Sequence, residues 1–135
     1  MIDVFVGQIM TEDLVTLDKS QTLDEAGTAM IDADIKSVVV SSRDERPVGI
    51  LTSTDFVRMA ADGGPPGSSH ISEYMTSDIV TTTADTAVNE AAELMIGNDI
   101  SHLPVVQADG RLTGIITTTD VASYVSGLED LTRVG

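Results

Sequence analysis

Gly49-Ile50-Leu51-Thr52-Ser53-Thr54-Asp55 is answered later in the chain by Gly114-Ile115-Ile116-Thr117-Thr118-Thr119-Asp120, the same phrase of glycine, apolar pair, threonine and aspartate. Working outward at that constant offset, Met10-Thr11 falls on Met75-Thr76, Val15-Thr16 on Val80-Thr81 and Glu25-Ala26 on Glu90-Ala91. Met30-Ile31 then meets Met95-Ile96, Asp34-Ile35 meets Asp99-Ile100, and Asp44 meets Asp109, without insertion or deletion. Self-similarity at a fixed period marks repeated supersecondary units that bury their apolar faces against each other. Two such units predict one domain with a pseudo-twofold axis and two equivalent clefts. A length of 135 residues suits a single domain of this kind.

Each unit reads as strand, helix, strand, strand, helix, an α/β pattern. Leu14 to Leu17 and Ile79 to Thr82 are short apolar and β-branched runs suited to a first strand. Thr22-Leu23-Asp24-Glu25 has the spacing of a capping box and starts a helix. Leu23, Ala26, Met30 and Ile31 come next at helical spacing, and Val88, Ala91, Met95 and Ile96 repeat the stripe, which predicts a buried face with both methionines in the core. Val38 to Val40 and Leu103 to Val106 are second strands; Val48 to Leu51 and Thr113 to Ile116 are third strands. Asp109-Gly110 predicts a two-residue hairpin turn, with Asp44-Glu45 in the same place earlier, so strands two and three are antiparallel. The crossover helix makes strands one and two parallel. The last helices start near Thr54-Asp55 and Thr119-Asp120 and end at Gly63-Gly64 and Gly127, and the Gly- and Pro-rich stretch from Asp62 to Ser69 reads as a hinge. The boundaries are a first motif with its lead-in over 1–61, a linker over 62–70, a second motif over 71–127 and a tail over 128–135.

Charge narrows the partners. With 22 acidic against 7 basic residues, the net charge of −15 repels nucleic acid and anionic lipid, both of which reward clustered Lys and Arg. Phe5, Phe56, Tyr74 and Tyr124 are the only aromatic residues, too few for base-stacking platforms. A 41% hydrophobic content argues against disorder. Few lysines and many aspartates suit a halophilic protein of a salt-rich cytoplasm, or an ordinary acidic domain. No cysteine is present, so there is no disulfide, thiolate metal site or cysteine nucleophile, in keeping with a reducing interior. The opening residues lack a basic, apolar leader, and no run approaches the roughly 20 apolar residues of a membrane span, so a soluble cytoplasmic protein is expected.

The lead-ins Val6-Gly7-Gln8-Ile9-Met10-Thr11 and Ile71-Ser72-Glu73-Tyr74-Met75-Thr76, the two Gly-hydrophobic-x-Thr-x-x-Asp segments and Ser101-His102-Leu103-Pro104-Val105 together resemble the CBS-domain pair, the family named for the repeat in cystathionine β-synthase. The resemblance runs from about Val6 to Gly127. It implies two β-α-β-β-α motifs packed as one pseudo-twofold, Bateman-type module. It also implies a regulatory role, in which AMP, ADP, ATP or S-adenosylmethionine binds in clefts between the motifs and the change is signalled to a regulated partner protein. Such modules often pair into a flat disc, so a homodimer is expected. By the same resemblance the purine maps to Thr11, Val15, Ile35 and Lys36 in one cleft and to Thr76, Val80, Ile100 and Ser101 in the other. His102 would reach the phosphate of the first site, and Lys36 or Ser37 that of the second.

The residues make chemical sense of such a ligand. Asp55 and Asp120 stand at expected helix starts, where a carboxylate accepts hydrogen bonds from both hydroxyls of a ribose cis-diol, each worth roughly 1.5–3 kcal/mol. Thr52 and Thr54, with Thr117 and Thr119, place hydroxyls beside helix amides, a cradle for phosphate. Apolar walls leave base edges to backbone groups. The structural alternative is that the aspartates complement the helix dipole and the threonines are caps. His102 could equally be a satisfied histidine at the cleft edge, and Lys36 could pair with Asp34 or Asp99. Ser37 and Val39 stand where the second unit has His102 and Pro104, so the clefts need not be equal. Scarce basic residues favour AMP or cationic S-adenosylmethionine over a triphosphate.

No histidine cluster for a metal, nucleophile elbow or Walker-type loop occurs, so no catalytic residue, metal or cofactor is expected and the chain is not read as an enzyme. Three classes remain: a ligand sensor, a ligand-free structural dimerisation or scaffold module with vestigial clefts, and, least favoured for want of those motifs, an enzyme.

Overall fold

The structure is a computed structural model that describes residues 4–134, with side chains through residue 127. Along the chain, α1 (Val6–Ile9) precedes β1 (Thr16–Leu17), α2 (Leu23–Ala33), β2 (Ser37–Ser41), β3 (Pro47–Thr52) and α3 (Ser53–Ala61). A 3₁₀ turn (Ile71–Glu73) leads to β4 (Thr82–Thr83), α4 (Val88–Gly97), β5 (His102–Val106), β6 (Leu112–Thr117) and α5 (Thr118–Val134). The strands form two three-stranded sheets, ordered β1-β2-β3 and β4-β5-β6. In both, the first pair is parallel and the second antiparallel, as the crossover helix and hairpin require. The α/β repeat is therefore realised twice.

Local signals explain most element starts. Thr22 caps α2, its hydroxyl accepting from the Glu25 amide at 3.3 Å while the Glu25 carboxylate accepts from the Thr22 amide at 3.3 Å. The Gln21 side-chain amide, then the Thr22 hydroxyl and amide, hold the Glu25 carboxyl below the ordinary glutamate range. Met30 and Met95 are buried as the stripe predicts. Ile31 and Ile96 are not: each is 80% exposed, a correction to the stripe read from sequence. Leu23, Ala26 and Met30 already define the inward direction, and the next residue is turned away by about 100°.

The hairpins also differ from expectation. Gly110 donates its amide to the Gln107 carbonyl at 2.9 Å, and Gln107 donates to Arg111 at 2.8 Å. Glu45 and Ser42 make the same bonds in the other hairpin, to Ser42 at 3.0 Å and Arg46 at 2.8 Å. Each loop is thus a longer turn closed by one left-handed residue, Glu45 (φ 64°) or Gly110 (φ 90°), with a register shift beside it. A two-residue turn of the type expected needs positive φ at both central positions, and this loop needs it at only one. Helix α5 likewise passes Gly127, the expected end, and continues to Val134. A single exposed glycine costs only about 1 kcal/mol, too little to stop a helix whose flanks propagate it.

The chain divides into two compact units, Leu14–Ile79 and Met1–Asp13 with Val80–Gly135. These are cut differently from the sequence repeats, because each lead-in packs with the other repeat's sheet. Fully buried Val6 joins Ala91, Met95, Leu103, Val105 and Ile116. Fully buried Ile71 joins Leu17, Leu23, Ala26, Met30 and Leu51. The Gly- and Pro-rich stretch expected as a hinge belongs to the unit Leu14–Ile79: Leu23 and Asp24 donate to the carbonyls of Ser69 and Gly67, both at 3.0 Å. It satisfies two of the amides that the start of α2 leaves unpaired.

Glu45 and Gly110 supply a paired stability test. Replacing Glu45 with glycine removes a left-handed side chain and is expected to stabilise the protein by about 0.5–1 kcal/mol. Gly110→Ala is expected to destabilise it by about 1–2 kcal/mol. Urea denaturation of the two variants checks the opposite signs.

Candidate functional site

Each lead-in ends in one residue that pairs with a third strand. Thr11 donates its amide to Ile115 at 2.8 Å and accepts from it at 2.9 Å; Thr76 exchanges the same bonds with Ile50 at 2.9 and 3.0 Å. The neighbouring glycines make room for this. A Cβ on Gly114 would stand 2.7 Å from the Met10 sulfur and 3.0 Å from the Thr11 carbonyl oxygen, and one on Gly49 would strike the Met75 side chain. The glycine of the repeated phrase thus leaves room for a lead-in methionine, and at Gly114 for the Thr11 carbonyl as well.

The rest of the phrase crosses from strand to helix. Thr52 is the N-cap of α3: its hydroxyl accepts from the Asp55 amide at 3.3 Å, while Asp55 Oδ2 accepts from the Thr52 amide at 2.8 Å and hydroxyl at 3.1 Å. Thr117 and Asp120 repeat the arrangement, with amide bonds of 3.0 and 3.1 Å. The structural reading of these residues as caps is thus realised in both units. It leaves acceptor capacity unused, because a carboxylate offers about four lone-pair sites. The Thr11 hydroxyl lies 3.3 and 3.4 Å from the two oxygens of Asp120. Beside Asp55 the neighbour is different: Arg58 Nη1 stands 4.0 Å from Oδ1.

The expected ligand residues fall into two groups. Thr11, Val80, Ile100, Ser101, His102, Thr117, Thr119 and Asp120 belong to one unit; Val15, Ile35, Lys36, Thr52, Thr54, Asp55 and Thr76 belong to the other. Each set of four assigned to a purine is therefore divided, Thr11 and Thr76 having exchanged places. Within a unit the second strand is tied to the helix start, the Lys36 carbonyl accepting from Ser53 at 2.9 Å and the Ser101 carbonyl from Thr118 at 3.1 Å. His102 Nδ1 lies 3.2 Å from the Ser101 hydroxyl. Val15, Ile35, Val80 and Ile100 pack partly buried against the cores, and Thr54 and Thr119 are exposed.

Two hollows accompany these groups. One of about 560 Å³ is lined by Met95, Ile96, Asp99, Ile100, Ser101, Thr118 and Val121 among others. Where Val121 stands in this unit the other has Phe56, whose ring reaches to 3.9 Å from the position of a Cβ on Gly27. The second hollow, of about 370 Å³, is lined by Asp55, Arg58, Met59, Asp62, Gly64, Pro65 and Tyr74. Arg58 and Tyr74 were not singled out from sequence. The i, i+3 spacing of Arg58 from Asp55 was a usable signal, but nothing local brings Tyr74 to them. Among the described residues no group of acidic, histidine or cysteine side chains could hold a metal ion, and no helix is long and apolar enough to cross a membrane.

Comparison with known proteins agrees with the duplication. The family model for the CBS domain matches twice, over residues 6–62 and 71–127. An uncharacterized 17.7 kDa protein of Acidianus ambivalens is 34% identical over 117 residues, covering 87% of this chain and 70% of that one. A homoserine O-acetyltransferase of Methanohalobium evestigatum is 34% identical over 121 residues, covering 90% of this chain. The present chain spans only 24% of that relative's length. Among solved structures, the CBS domain pair of protein MJ0100 in complex with 5′-methylthioadenosine and S-adenosyl-L-methionine superimposes with a TM-score of 0.86 at 27% identity, covering 93% of this chain and 98% of that one. A CBS-domain containing protein from Agrobacterium tumefaciens gives a TM-score of 0.81 at 30% identity, covering 91% of this chain and 93% of the other.

The capping role of Asp120 separates two substitutions. Asp120→Ala removes a cap and is expected to lower stability by about 1 kcal/mol. Asp120→Asn keeps an oxygen for the Thr117 amide and is expected to cost less than half as much. Urea denaturation of both variants measures the difference, and equal losses would contradict the capping role.

Proposed function

Because this chain belongs to the CBS-domain family, with two copies spanning most of its length, we propose that it is a regulatory module that binds adenosine-containing ligands and signals their presence to a partner protein. The candidates are AMP, ADP, ATP and S-adenosylmethionine. The observation that carries this reading is the meeting of Thr11 with Asp120, residues 109 positions apart, at a carboxylate that capping alone does not saturate. There the ribose diol donates to Asp120, and the equivalent Asp55 serves a second ligand. Thr52, Thr54, Thr117 and Thr119 supply hydroxyls for phosphate, with His102 and Lys36 or Ser37 adding to them, and the purine lies against Val15, Ile35 and Lys36 or Val80, Ile100 and Ser101. The adenosyl ligands held by the CBS pair of MJ0100 support the ligand class.

Signalling requires that the ligand prefer one arrangement of the module, since only differential affinity shifts a conformational equilibrium. The role is regulatory rather than catalytic. Acetyl transfer to homoserine is the activity named for a relative of which this chain spans 24%. The net charge of −15 supports a salt-rich cytoplasm and partners other than nucleic acid or membrane.

A second reading, a ligand-free homodimeric scaffold, is favoured by a separate observation. Ile31 on α2 and Ile96 on α4 are each 80% exposed at matching positions, and Val57 on α3 is 68% exposed. Apolar side chains so placed suit a protein interface.

Thermal unfolding in the presence of each ligand decides between the readings. Saturation at about 100 times the dissociation constant adds ~2.7 kcal/mol of stability, and Asp120→Asn is expected to weaken binding by roughly 1.5–3 kcal/mol. No shift with 5′-methylthioadenosine, S-adenosylmethionine, AMP, ADP or ATP leaves the scaffold. In that case Ile31→Glu with Ile96→Glu should convert dimer to monomer in analytical ultracentrifugation.

A further inference from the structure

The repeats differ where they should matter most. Arg58 stands three positions after Asp55 on α3, whereas the residue three positions after Asp120 is Ser123, which carries a hydroxyl but no charge. Tyr74, in the lead-in before Thr76, has Ile9 as its counterpart before Thr11. Asp55, Arg58 and Tyr74 line a single hollow of about 370 Å³, within the size range of small-ligand sites.

We propose that Arg58 and Tyr74 make the hollow at Asp55 a subsite for a nucleoside monophosphate, while the Asp120 end takes an adenosyl group without phosphate. This rests on the reading of the chain as an adenosyl-ligand module and replaces its even assignment: phosphate is confined to the Asp55 end, where the purine lies on Tyr74, and the Thr117 and Thr119 hydroxyls serve no phosphate. Each group in the hollow has chemistry for one part of the ligand. The Asp55 carboxylate accepts from the ribose diol with the oxygen that the Thr52 amide does not use. The half-exposed Tyr74 ring offers a face for the purine. Arg58 presents a planar set of donors matched to a phosphate. Its guanidinium is 4.0 Å from Asp55, beyond hydrogen-bond length, and its side chain is 76% exposed, so it is weakly held and can turn to a ligand. Asp62 lines the same hollow and limits its tolerance of negative charge. Arg58 offsets part of the charge of one phosphate, and among the described residues no further cation lines the hollow to offset a polyphosphate. At the other end the Ser123 hydroxyl could add one neutral hydrogen bond, which does nothing to offset the charge of a phosphate beside Asp120.

Titration calorimetry of the full chain with AMP and with 5′-methylthioadenosine tests this. Arg58→Ala is expected to weaken AMP binding about tenfold, the loss of one charge-assisted contact at an exposed position, and to leave 5′-methylthioadenosine unchanged. The reciprocal Ser123→Arg is expected to improve AMP binding at the other end. Tyr74→Ala, at the same hollow, should weaken AMP and leave 5′-methylthioadenosine unchanged. Thermal melts of the unliganded Arg58 and Ser123 variants should match the parent, since both positions are exposed. If both ligands bind the parent and Arg58→Ala changes neither or weakens both equally, the division of labour is overturned while the ligand class stands. If the parent binds neither, both are overturned.

Discussion

The site depends on a two-residue contact: the paired backbone hydrogen bonds that fasten Thr11 to Ile115 and Thr76 to Ile50. Each extends a sheet by a single bridge and brings a lead-in alongside a third strand that belongs to the other sequence repeat. The close approach is steric before it is electrostatic. Gly114 and Gly49 lack the Cβ that would collide with Met10 and Met75, so the lead-in lies flat against the strand, and Val6 and Ile71 are drawn into the cores. Without that bridge the Thr11 hydroxyl would have no reason to stand beside Asp120.

Beyond the glycine, the repeated phrase is shaped by helix initiation. A helix leaves its first amides unpaired, and a threonine with an acid three residues later satisfies two of them. Thr52 with Asp55 and Thr117 with Asp120 do this at the junction of strand and helix, which fixes the carboxylates in orientation. Under the proposed function, capping and ligand binding are not competitors. An amide engages one lone pair of the carboxylate, and the ordering that capping provides lowers the entropy lost when a ligand later docks. Such a carboxylate is held in one orientation by bonds that the fold itself requires.

Duplication then permits divergence around a shared frame. Phe56 stands where the other unit has the smaller Val121, Glu45 occupies a left-handed position that Gly110 takes without strain, and Arg58 stands where the other unit has Ser123. None of these differences disturbs strand order or capping, so each repeat could change its side chains while the backbone remained the same. Unequal halves are the natural outcome of divergence on a shared backbone frame.

The amino-acid sequence was sufficient for the duplication, the parallel and antiparallel pairings, the capping of α2 and the burial of Met30 and Met95, because periodicity, caps and crossover length act over a few residues or one connection. It could place Thr11, Asp55 and Asp120 among the candidates, yet it assigned Thr11 to the same half as Val15, Ile35 and Lys36. The exchange of lead-ins, the outward Ile31 and Ile96, and the hollow shared by Asp55, Arg58 and Tyr74 emerged only in the folded chain. Those outcomes turn on which strand edge has room beside it and which helix face is already covered. Both are properties of residues far apart in the chain, and no local pattern encodes them.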